Sequence, residues 1–329
     1  MKTSTRNTIL SSIATAFALA TVIWLTAGSL ASRFDVVNEK YFSFFYPWQT
    51  RNPTTMAYIT AWVGYALHNI SAWVVIYMAK KEKPKYQTGF RWFNWAMLGV
   101  NGIFYILHWI QTQLWYDGLA IAVPEVTSQG SVVLMLVVIL ILETPRRGLA
   151  FGKKVKFHKR FMQVVREYHG YLFSWAIIYT FWYHPMENTF GHLAGFFYMF
   201  LLFAQSVLLF NRAHLNKYWT FFLEVFVLIH GMLVAISQGN GIWPMFAFGF
   251  GAMIVLTQMY GIGLQTWVRR ALAVSFVLGV SLFYTLSGNL ARLNEVIRIP
   301  FIDYLLIGLL YLIFLGINGL ITLSSRKAA

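Results

Sequence analysis

Ten apolar stretches follow one another along the chain, each about as long as a bilayer-crossing helix, and they dictate what it can fold into. They cover approximately 9–31, 56–79, 91–115, 127–143, 161–183, 191–210, 218–238, 243–264, 270–288 and 301–323. A helix rises only ~1.5 Å per residue, so about 20 apolar residues are needed to cross the hydrocarbon core. Inside lipid a backbone has to satisfy its own N–H and C=O groups, which such runs do by becoming helical. The expected fold is all-α: a single polytopic transmembrane domain over residues 1–329, a bundle of about ten helices. The composition agrees, with 58% hydrophobic and 11% charged residues, where soluble domains carry about a quarter charged. Cysteine is absent, which excludes disulfides, thiolate ligands, iron–sulfur clusters and cysteine nucleophiles. The first run exceeds the roughly 7–15 apolar residues of a secretory signal, so it reads as a retained helix.

The net charge of +15 has its explanation in topology. If the helices alternate in direction, 21 of the 26 Lys and Arg residues fall in segments on one side. Only Arg33, Lys40, Arg51, Arg292 and Arg298 fall on the other. The positive-inside rule then puts both termini in the cytoplasm of a cell (plasma or inner) membrane. The basic side is also attracted to anionic head groups. A nucleic-acid partner would need basic residues interleaved with exposed aromatics on a folded surface, and none is expected. The outer segment 32–55 is dense in Phe, Tyr and Trp, which favour the head-group layer. It reads as a surface anchor, with a lid over an outward-facing site as the functional alternative. All eight prolines fall in loops or at helix ends, unlike the midplane-broken helices of many transporters.

Ionisable groups inside a membrane are costly and point to function. His68, His108, His169 and His230 lie within apolar runs, at depths of roughly 18, 10, 21 and 12 Å from the outer helix ends. His184 and His192 stand above them in the stretch WYHPMENTFGH, together with Glu187. Pro185 helps to end one helix and Thr189 is suited to cap the next. Gln111 shares a helix face with His108 and can orient its ring.

Three chemistries suit this set. Imidazoles ligate haem iron or transition metals. Haem b, held by some pair among His68, His108, His169 and His230, would make the chain an oxidoreductase with quinone as its lipid-soluble partner. Two-histidine helices of b-type haem proteins carry their ligands about four turns apart. His169 and His184 are 15 apart and His214 and His230 are 16 apart, but the pairs do not sit level, so a two-haem ladder is not expected. His184, Glu187 and His192 could instead gather one zinc-like ion. The second chemistry is a membrane transferase or hydrolase acting on a lipid or lipid-linked substrate, with His184, Glu187 and His192 in acid–base roles. The third is a proton-coupled transporter. No phosphate loop, HExxH, di-iron histidine box or GxSxG motif is present.

Overall fold

A computed structural model describes residues 3–37, 46–237, 239 and 241–327. Among these, the chain forms α1 (Thr3–Thr26), α2 (Leu30–Arg33), α3 (Thr55–Lys81), α4 (Trp92–Trp115), α5 (Glu125–Arg147) and α6 (Lys159–Tyr183). It continues through α7 (Phe190–Val207), α8 (Lys217–Ser237), α9 (Trp243–Leu256), α10 (Thr266–Leu286) and α11 (Glu295–Lys327). A small antiparallel ribbon, β1 (Val36–Val37) and β2 (Gln49–Thr50), interrupts the connection from α2 to α3. Ten of the helices coincide with the ten expected runs, and α2 is an additional single turn. Seven of them (α1, α3, α5, α7, α8, α10 and α11) are long and apolar enough to cross a membrane. In α10 and α11 only 6% of the apolar window is buried, so their outer faces need an apolar surrounding. The chain is a multi-pass helical membrane protein.

Local chemistry sets the helix limits. Thr54 caps α3 by accepting the N–H of Ala57 at 3.1 Å, and Asn94 Oδ1 accepts the N–H of Arg91 at 2.8 Å to open α4. Several limits differ from the sequence reading, among them the start of α1 at Thr3 instead of residue 9 and the end of α5 at Arg147 instead of 143. α1 stops at Thr26, before Gly28 and Ser29, instead of at residue 31. α9 stops at Leu256 instead of 264, because the chain tightens into a 3-10 turn over Gln258–Tyr260 and then meets Gly261 and Gly263, the latter at φ +85°. Its 14 residues reach about 21 Å, short of the ~30 Å hydrocarbon core. α11 starts at Glu295, so Pro300 lies inside the helix and not before it.

The chain divides into two compact units. The first comprises residues 1–132 and 170–239, and the second 133–169 and 240–329. In the first, α3 packs on α4, and α7 packs on α1, α4 and α8. In the second, α9 packs on α10 and α11. The second unit's core joins Val137, Leu140 and Ile141 of α5 to Phe161 of α6, Met253 of α9 and Ile307 of α11.

Within the first unit the helices alternate in direction. The connections after α1, α4 and α6 meet at one end: Thr50 bonds to Asp117, Gln49 to the carbonyl of Ala120, and the N–H of Met186 to Thr112. The connections after α3 and α7 meet each other: Gln87 N–H donates to the carbonyl of Phe210 at 3.2 Å, and Arg212 N–H to that of Gln87 at 2.8 Å.

Close packing in the first unit turns on Gly64. A Cβ there would lie 2.2 Å from the ring of Trp182, which is itself 1% exposed. Gly64→Ala is expected to cost about 1–3 kcal/mol through overpacking, read as a lower unfolding midpoint in detergent. Gly99→Ala, with nothing within 4 Å, is expected to be neutral or slightly stabilising.

Candidate functional site

The end of the first unit where three connections meet is also where the polar side chains collect. The turn 184–189 between α6 and α7 is held from below by α4. His108, fully buried, donates Nε2–H to the carbonyl of His184 at 2.9 Å. Thr112 Oγ1 accepts the N–H of Met186 at 3.2 Å. Gln111 Oε1 faces His108 Nδ1 at 3.1 Å, as its spacing suggests, and Gln111 Nε2 donates to the carbonyl of Asp117 at 2.6 Å. The chain can run this close only because residue 118 is glycine, where a Cβ would lie 2.5 Å from the carbonyl oxygen of Trp182.

Above this floor sits His192, 8% exposed, in the first turn of α7. Thr189 caps that helix as expected, accepting the backbone N–H of His192 at 3.4 Å. The same hydroxyl lies 2.7 Å from His192 Nδ1. The other ring nitrogen, Nε2, is hydrogen-bonded to the hydroxyl of Tyr46. Burial, reinforced by the neighbouring Tyr116, Tyr183, Glu125 and Glu187, raises the Tyr46 hydroxyl well above its usual pKa. Tyr46 is therefore the O–H donor. His192 Nε2 accepts, and the ring's own proton sits on Nδ1, directed at Thr189.

Two further imidazoles flank this string. The His184 ring lies 5.1 Å from that of Tyr46 and 6.2 Å from that of His192, centroid to centroid. Its Nδ1–H donates to the carbonyl of Thr180 at 2.8 Å, which leaves Nε2 with a lone pair. His230 of α8 rests on the backbone of α7 at Gly195, one turn beyond His192, where a Cβ would lie 2.9 Å from His230 Cε1. His230 Nδ1 is buried and has no hydrogen-bond partner among the described residues. The Trp48 ring covers His192 edge-on at 5.4 Å.

The remaining sequence candidates lie elsewhere. His68 is fully buried, stacked between Phe104 at 4.5 Å and Phe203 at 5.5 Å. Both its nitrogens are engaged, Nε2 with Asn101 at 3.2 Å and Nδ1 with the Trp182 N–H at 3.3 Å. His68 thus spends both nitrogens on structural bonds, whereas His108 spends its N–H on the His184 carbonyl and turns Nδ1 toward Gln111 Oε1. His169 belongs to the second unit and donates back to the carbonyl of Arg166 at 2.8 Å on its own helix. Glu187 is 2% exposed and does not join the two imidazoles of its turn. Its carboxylate accepts from the Tyr116 hydroxyl at 3.2 Å and from the N–H of Asn188 at 2.8 Å. Burial raises its pKa against both of these bonds. Among the described residues no group of three His, Cys, Asp or Glu side chains is arranged to hold a metal ion.

Tyr46 and Trp48 are residues of the candidate site that the sequence reading did not single out. They belong to the segment 32–55 read as a surface anchor. Residues 38–45 lie outside the described residues, but Tyr46, Pro47 and Gln49 are buried. Gln49 Nε2 donates to the carbonyls of Tyr46 at 2.9 Å and Ala120 at 3.0 Å. Tyr46 and Trp48 thus lie against His192, while the rest of the anchor reading falls in part on residues 38–45, outside the described residues. The clustering of Tyr and Trp between two helices was their only signal in the sequence.

Comparison of the chain with protein-family models, with curated proteins and with solved structures finds no match.

Burial lowers the pKa of His184 to about 4, partly offset by its bond to Thr180. As pH falls through the ordinary histidine value of about 6.5, the unfolded chain takes up a proton that the folded chain refuses. The contribution of this group to stability is complete above about pH 6.5 and is lost progressively toward about pH 4. The stability difference between wild type and His184→Gln is expected to shrink by about 2–3 kcal/mol over that interval, measured by reversible unfolding in mixed micelles.

Proposed function

We propose that the chain is a membrane-embedded enzyme, a transferase or hydrolase, that modifies a lipid or lipid-linked substrate by acid–base catalysis at His192. The observation that carries this reading is the string from Tyr46 through His192 to Thr189, with its tautomer fixed at both ends. A substrate hydroxyl or a water that replaces the Tyr46 hydrogen bond loses its proton to His192 Nε2. Thr189 Oγ1 then accepts from Nδ1–H of the imidazolium and holds the ring in place. Tyr46 stays protonated and serves as donor to the developing oxyanion. His184 Nε2 and His230 Nδ1, neither of them hydrogen-bonded among the described residues, lie near His192 and would orient the substrate's hydroxyl groups. Glu187, bonded to Tyr116, tunes the pocket from the side.

The same geometry favours acid–base chemistry over ligation. His68, whose two nitrogens are both engaged, is poorly placed to ligate haem, and among the described residues no three His, Cys, Asp or Glu side chains gather as a metal set would require. We further propose ten membrane-crossing segments, one of them α9 extended by the 3-10 turn Gln258–Tyr260, with both termini in the cytoplasm and the site opening to the opposite face of the cell membrane. The alternation of connections in the first unit supports this. So does the concentration of Lys80, Lys81, Arg91, Arg212 and Lys217 at the end away from the histidines. Substrate reaches the pocket from the bilayer, which suits an acyl or prenyl tail.

The test is a mass-spectrometric profile of lipids and glycolipids from cells making the wild-type chain, His192→Asn or neither. A species made only by the wild type is expected, with His192→Asn lowering its formation about 100-fold or more and Tyr46→Phe at least tenfold. Identical profiles from all three would overturn the proposal. So would a Soret band in the purified protein, which would restore haem ligation.

A further inference from the structure

Asp303 stands apart from everything described so far. It lies in α11, in the second unit, on the helix face that carries Ile299 one turn before it and Ile307 one turn after. Ile299 packs against Gly249 of α9 so closely that a Cβ there would lie 2.8 Å from Ile299 Cδ1. Ile307 joins Met253 of α9 and Val137, Leu140 and Ile141 of α5 in the apolar core. Between them the aspartate is 3% exposed.

The charged and titratable groups on the elements packed around it do not pair with it. α9 contributes none. On α11, Glu295 pairs with Arg292 at 2.9 Å and Arg298 at 3.9 Å, two turns earlier, and the adjacent Tyr304 donates to the carbonyl of Leu149 at 2.8 Å. On α5, Glu143 pairs with Arg146, and Arg147 lies near Tyr304. On α6, Phe161 is the residue in the core, while Arg160 bonds to Asn318 at 3.0 Å. On α10, Arg269 lies over the Tyr260 ring. Among the described residues none of these makes a hydrogen bond or ion pair with the Asp303 carboxyl.

An unpaired carboxylate in such surroundings is costly by several kcal/mol or more, whereas the neutral acid is far cheaper to bury. Ion pairing and metal coordination, the other remedies for a buried charge, have no partner here. We infer that Asp303 is a proton-binding site within the membrane domain, a carboxylic acid at neutral pH that gives up and regains its proton without a neighbouring base. Its ligand is the proton, and the chemistry is independent of the histidine site.

A protonated carboxyl in an apolar setting reacts with a hydrophobic carbodiimide. The acid proton adds to one carbodiimide nitrogen while the carboxyl oxygen adds to the central carbon. The acyl group then migrates from oxygen to nitrogen, leaving a stable N-acylurea with the whole reagent added and nothing released. The full-length protein in liposomes, treated with dicyclohexylcarbodiimide at about pH 7, is expected to carry one such addition on the peptide containing Asp303. Ordinary aspartates, ionised above about pH 4, do not react under these conditions. Infrared spectroscopy supplies a second readout, a neutral-carboxyl stretching band at about pH 7 that Asp303→Asn removes. Either the adduct or the band supports the inference. Absence of both, or reaction at Asp303 only below about pH 5, overturns it.

Discussion

The bond from His108 to the carbonyl of His184 is the constraint on which the candidate site depends. The last carbonyls of α6 have no partner within their own helix, and inside a membrane protein water is not freely available to supply one. His108 Nε2–H meets one of them at 2.9 Å, and Thr112 Oγ1 receives the Met186 N–H at 3.2 Å. These two bonds from one face of α4 fix the backbone of the turn. The turn in turn sets where Thr189 caps α7, and so where His192 points. The carboxyl of Asp117 extends the frame to the segment 32–55 by accepting from Thr50 N–H at 2.9 Å and from its hydroxyl at 2.5 Å. Losing the His108 donor would leave a buried carbonyl unpaired, a penalty of about 1–3 kcal/mol at the position that orients the histidines.

Much of the fold was legible in the sequence because lipid imposes a simple rule. A run of about 20 apolar residues has one economical backbone conformation, and its limits follow from caps, glycines and charges. Thr189 and Gln111 were legible for a related reason, since each acts within one turn of its partner. α9 was misjudged because apolarity persists past Leu256 while the backbone does not. Gly261 and Gly263 let the chain turn where hydropathy gives no signal.

The site was legible only in part. Sequence gives the depth of a residue in a span but not the direction it faces relative to other helices. His68, His108 and His230 share a layer by depth, yet two of them point into aromatic and amide partners, and only His230 reaches the region of His184 and His192. Tyr46 could not be assigned because it meets His192 across 146 positions of chain. Asp303 was not among the candidates read from the sequence. What singles it out is the apolar company of Ile299, Ile307 and α9, which only tertiary packing reveals.

The fate of each buried polar atom separates structure from chemistry in this molecule. An imidazole with both nitrogens hydrogen-bonded has recovered what it lost on leaving water, and it contributes rigidity. His68 is of this kind. An imidazole that keeps one nitrogen bare, as His230 does, bears an uncompensated cost that a packed core would avoid by using Leu or Phe. The Tyr46–His192–Thr189 string is intermediate, since its atoms are paired but one partner arrives from a separate connection. Were substrate to take the place of Tyr46 at Nε2, Thr189, fixed by the helix it caps, would still hold the ring through Nδ1. The histidine therefore stays oriented whether or not its outer partner is present, and that is the property a general base requires when substrate replaces a protein hydroxyl.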